Sequence, residues 1–71
     1  MYVNVKYGQQ MRQVLLYGDV SVRSALEKAR DTDGLPLPKN LNKLIIMLND
    51  KAVSLTAWVI GDGEYVATRQ K

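Results

Sequence analysis

Leu41-Asn42-Lys43-Leu44-Ile45-Ile46-Met47-Leu48-Asn49-Asp50-Lys51-Ala52-Val53-Ser54-Leu55 is the stretch on which the fold turns. It holds the one long apolar run of the chain, Leu44 to Leu48, followed by a polar turn and a second short apolar piece. Leu41, Leu44, Ile45 and Leu48 also fall at helical spacing, and Asn40 could cap such a helix. Periodicity alone does not separate a short buried strand from a buried helix. The β-branched pair Ile45-Ile46 and the turn residues Asn49-Asp50-Lys51 favour a strand, central in a small sheet, leading into a second strand over Ala52-Val53-Ser54-Leu55.

Upstream, Tyr2 to Tyr7 alternates strictly, with Val3, Val5 and Tyr7 on one face and Tyr2, Asn4 and Lys6 on the other. Gly8-Gln9-Gln10 suits a hairpin turn, and Arg12 to Tyr17 returns as a second strand with Val14 and Leu16 on the buried side. Ser21 is placed to cap a helix, and Val22, Ala25, Leu26 and Ala29 make one apolar stripe at i, i+3, i+4 and i+7. Val20 and Ala25 stand at the positions of a hydrophobic staple. Gly34 can close that helix, and Pro36 and Pro38 forbid its continuation. The segment from Asp31 to Asn40 then reads as a loop. After an irregular connection around Trp58, a Gly61-Asp62-Gly63 turn introduces a last strand, Glu64 to Arg69. The order is β-β-α-β-β-β: an α+β fold with one helix on one face of a mixed sheet, a single domain over residues 1–71.

Composition narrows the function. With 71 residues, no cysteine and no histidine, the chain has no disulfide, no thiolate metal site and no imidazole base. This fits a reducing cytoplasm and a non-catalytic protein without cofactor or metal. The apolar run is far shorter than the ~20 residues a membrane span needs, and no signal-peptide pattern opens the sequence. Asp31-Thr32-Asp33-Gly34 begins like a calcium loop, but Asn42 stands where the twelfth-position Glu belongs. Gly61-Asp62-Gly63 lacks the third glycine of a phosphate cradle and precedes no helix.

The element order, with Met47-Leu48-Asn49-Asp50-Lys51-Ala52-Val53 and Gly61-Asp62-Gly63-Glu64-Tyr65-Val66 as its local marks, resembles the β-grasp, or ubiquitin-like, superfamily. The outline is most similar to the sulfur-carrier and TGS branches. The resemblance implies a β-grasp fold and non-covalent binding through the open sheet face. It does not extend to a carrier or modifier role, which uses a C-terminal Gly-Gly. Here the last residues are Ala67-Thr68-Arg69-Gln70-Lys71.

A helix on one face leaves the other open, and the strand patterns place Tyr2, Leu15, Tyr17 and Tyr65 there, with either Ile45 and Met47 or Ile46 and Leu48. An apolar face with tyrosines points to a protein partner, the chain being a monomer or weak homodimer. The second reading takes Lys6, Arg12, Lys43, Arg69 and Lys71, interleaved with the tyrosines, as a surface for single-stranded nucleic acid of the kind TGS-like domains imply. The net charge of +3 is mild for that role.

Overall fold

The computed structural model describes residues 1–60 and 63–69. The chain begins with a hairpin of β1 (Tyr2–Tyr7) and β2 (Gln10–Leu15), antiparallel from Tyr2↔Leu15 to Tyr7↔Gln10. Gly8 and Gln9 form the loop, so β2 starts two residues before Arg12 and ends before Tyr17. Val3, Val5, Val14 and Leu16 are buried on one face, as their alternation requires.

α1 (Val22–Asp31) starts where the capping residue places it: Ser21 Oγ accepts the Ser24 N–H at 3.2 Å. The whole stripe Val22, Ala25, Leu26 and Ala29 is buried against the sheet. Lys28 and Arg30 stand in the last turn, where the negative end of the helix dipole favours them. Gly34 takes a positive φ of 75°, and Leu35 then donates back to the Ala29 carbonyl at 2.9 Å. The loop that follows is part of the core. Leu35 and Leu37 are buried while Pro36 between them is exposed, a two-residue alternation outside any strand.

Both readings of the deciding stretch leave a trace. Asn40 does cap a helical turn, its side chain accepting the Asn42 N–H at 3.1 Å, but that turn is a 3-10 piece limited to Leu41–Lys43. β3 (Leu44–Leu48) follows directly and pairs on both sides, so its backbone groups are satisfied only as a strand. Asn49 and Asp50 have φ of 51° and 66°, the two successive positive values a tight hairpin turn asks for. β4 (Lys51–Val53) returns from that turn and is shorter than the pattern predicts. β5 (Glu64–Arg69) completes a five-stranded sheet ordered β2-β1-β5-β3-β4. The central strand is therefore β5, not β3: it lies parallel to β1 and antiparallel to β3. Hydrophobicity misplaces the centre, because β3 is the more apolar strand and β5 the better paired one.

Of the Gly61-Asp62-Gly63 turn, Gly61 and Asp62 lie outside the described residues. Gly63 is closely packed: a Cβ there would come within 2.8 Å of Leu48 Cδ1, so the end of that side chain would have to shift. The architecture is thus α+β, one helix over one face of an open mixed sheet. Among the described residues no helix is long and apolar enough to cross a membrane.

Candidate binding surface on the open sheet face

Register decides which side chains meet on the face away from α1, because directly opposed residues share a face. Lys6 is opposite Met11 on β2 and Val66 on β5; Met47 is opposite Val66 and, on its other side, Ala52. Met11, Lys6, Val66, Met47 and Ala52 therefore form one continuous row across all five strands. Met11 is 51% exposed, Lys6 and Ala52 are exposed, and Val66 and Met47 are half-buried. Ile45, opposite Thr68, adds an exposed aliphatic group beside the row. On the other side lies a polar row of Gln13, Asn4 and Glu64. A shallow depression of about 360 Å³ sits at their junction, lined by Met47 and Val66 together with Asn49, Asp50 and Glu64.

The expected partner-binding residues divide among different places. Ile45 and Met47 lie on the open face, which selects them over Ile46 and Leu48, both turned to the helix side. Tyr2 and Leu15 share the open face but pair at its far end, beyond the polar row. Tyr17 lies past the end of β2 with the Lys28 ammonium 5.4 Å from its ring centroid, so it belongs to the helix edge. Tyr65 is corrected outright. It is 2% exposed, the largest of the fully buried side chains, and lies under the helix with Ala67. The apolar pair Tyr65-Val66 reads equally well in either phase; pairing with Val5 and Leu48, which face the core, brings Tyr65 inward and turns Val66 out.

The basic residues do not converge on the open face. Among the described residues of that set only Lys6 stands there. Arg12 alternates in step with Val14, and its Nε reaches the Asp33 carbonyl at 2.9 Å, tying β2 to the loop after the helix. Arg69 shares the inward phase of Tyr65 and Ala67, with its Nε on the Tyr7 hydroxyl at 3.1 Å. Lys43 precedes β3, and Lys71 lies outside the described residues. Arg12 and Arg69 thus lie in the helix-side phase of the sheet, apart from Lys6 and Tyr2 on the open face.

Met11, Val66 and Ala52 were absent from the expected site. A strand start at Gln10 rather than Arg12 is what brings Met11 into the row, and the phase of β5 does the same for Val66. The Trp58 segment is an irregular connection, as expected, and it runs beside the start of α1: Val22 donates to the Ala57 carbonyl and Val59 to the Val20 carbonyl, both at 2.9 Å. Val59 is buried, which turns Trp58 (68% exposed) and Ile60 (66% exposed) outward. Among the described residues no cluster of three or more His, Cys, Asp or Glu side chains comes together. Compared with protein-family models, with curated proteins and with solved structures, the chain matches none.

Proposed function

We propose that the chain is a non-catalytic β-grasp module that binds a protein partner non-covalently through its open sheet face, as an adaptor, an assembly component or an inhibitor. The fold reading is supported by the strand order β2-β1-β5-β3-β4, the parallel β1–β5 pair and the single helix after the first hairpin. The binding reading rests on one observation: the row Met11, Lys6, Val66, Met47 and Ala52 crosses the uncovered face without interruption. Four apolar groups, two exposed and two half-buried, share this strip with Lys6, and Asn4, Gln13 and Glu64 beside it supply a polar margin. The lack of histidine and cysteine fits a role without chemistry and a reducing, cytoplasmic setting.

Affinity capture from cell extract with wild type, Met47→Glu and Tyr17→Ala proteins tests this. A partner retained by wild type and Tyr17→Ala but lost with folded Met47→Glu supports the surface. Equal capture by all three overturns it. Sedimentation at two concentrations distinguishes a monomer from a weak homodimer formed through the same face.

A further inference from the structure

On the helix side, at the end of β5, lies a second concavity of about 300 Å³, lined by Pro38, Asn40, Lys43 and Arg69. Arg69 is held in place by the bond from its Nε to Tyr7 Oη, and its two terminal nitrogens make no hydrogen bond among the described residues. Lys43 has no carboxylate partner there either; the one ion pair among the described residues is Arg30–Asp31. Asn40 turns its side-chain oxygen to the Asn42 N–H, which leaves its amide nitrogen to donate outward.

The loop behind the concavity is braced by two further cations. Arg30 donates to the Pro38 and Lys39 carbonyls at 3.1 and 3.2 Å, engaging oxygens that would otherwise repel an anion. Arg23 reaches Asn42 Oδ1 at 3.0 Å. Arg23, Arg30, Lys39, Lys43 and Arg69 thus gather around one loop, with Glu27 and Asp31 as the nearby acids. Five cations against two acids give this loop a local excess of positive charge among the described residues. Asp31 is consumed by Arg30, whose guanidinium holds that carboxyl below the usual range.

We infer that this concavity binds a terminal phosphoryl group of a small molecule. Such a group brings close to two negative charges and three acceptor oxygens, which answers one ammonium, one guanidinium fork and one amide. The volume is at the low end for a ligand site. No aromatic ring lines it, so it offers a base nothing to stack on and does not suit the inside of a nucleic-acid strand.

The test is an NMR titration of the labelled chain with inorganic phosphate, with free phosphoserine and with a single-stranded oligonucleotide lacking terminal phosphates. Saturable shifts at the Asn40 side-chain amide, Arg69 Nε and the Pro38–Lys43 loop are expected from the first two. Lys43→Ala, an exposed substitution, should weaken phosphoserine binding about tenfold, the worth of one hydrogen bond to a charged group. Lys51→Ala, which removes an exposed cation on β4, should leave it unchanged. Shifts that never saturate, equal losses in the two variants, or tighter binding of the oligonucleotide than of phosphoserine would overturn the assignment.

Discussion

The Ile60 backbone N–H donates to the Tyr65 hydroxyl at 3.1 Å, so the most deeply packed aromatic of the sheet also holds the segment that carries Trp58 outward. Tyr65→Phe keeps the ring and loses this bond, which costs about 0.5–1.5 kcal/mol. Tyr65→Ala empties the space under the helix and costs ~3–5 kcal/mol, the range for large aromatic truncations. Urea unfolding followed by Trp58 fluorescence separates the two, and equal, small effects would show that the ring is not a core element.

Leu35 gives a second test of where the core lies. It belongs to no helix or strand, yet it is buried as fully as the residues of the helix stripe. Leu35→Ala is expected to destabilise by about 2–5 kcal/mol, whereas the exposed Pro36→Ala should change stability by well under half of that. Thermal unfolding of the two variants side by side gives the comparison.

Arg12 is an anchor in this structure. Besides Asp33, its guanidinium donates to the Met11 carbonyl and to Gln10 Oε1. Arg12→Ala should lower stability by about 1 kcal/mol through the lost bond to the loop after α1. Lys6→Ala, at an exposed open-face position, should be nearly neutral. Denaturant midpoints decide the matter.

For the open face the expectation shifts from stability towards binding. Met47→Glu should cost about 1–2 kcal/mol of folding free energy, more than a fully exposed change because Met47 is half-buried beside Asp50 and Glu64, but well below Tyr65→Ala. Its loss of partner affinity should be ~1–3 kcal/mol if the side chain is a central contact. Calorimetric titration with the isolated partner, alongside a melting curve, reads both quantities.

Asp50 offers a gain. Its φ of 66° is strained for any residue with a Cβ, and glycine is the preferred second residue of such a turn. Asp50→Gly is expected to raise stability by about 0.5–1 kcal/mol after glycine's greater unfolded-state freedom is counted. A lower melting temperature would contradict the turn geometry.

Much of this fold is legible from local rules. Val3 and Val5 alternate, Ser21 caps, the stripe from Val22 to Ala29 faces inward, and Asn49-Asp50 turns; each rests on a few neighbouring residues. What local reading misses depends on partners distant in sequence. The phase of Tyr65 and Val66 follows from pairing with Val5 and Leu48, and neither residue type reveals it alone. The candidate surface suffers most from this, since Val66 enters it and Tyr65 leaves it by the same half-turn. Arg12 was readable, because its phase with Val14 already places it on the helix side. Arg69 and Lys43 gain their significance from the Pro38–Lys43 loop, whose path no periodicity describes.

The parallel pair β1–β5 joins Asn4 to Glu64 and Tyr7 to Ala67, the first strand of the chain to the last one described. On the ribosome this sets an order of events. The hairpin and the helix can form as they emerge, but the middle of the sheet stays vacant until residue 69 has been made. Until then Val3, Val5 and Ile46 have no strand between them, and the nascent chain carries two unjoined edges that invite wrong pairing. Folding governed by so distant a closure is expected to be slow for a chain of this size, with its commitment step at the arrival of β5.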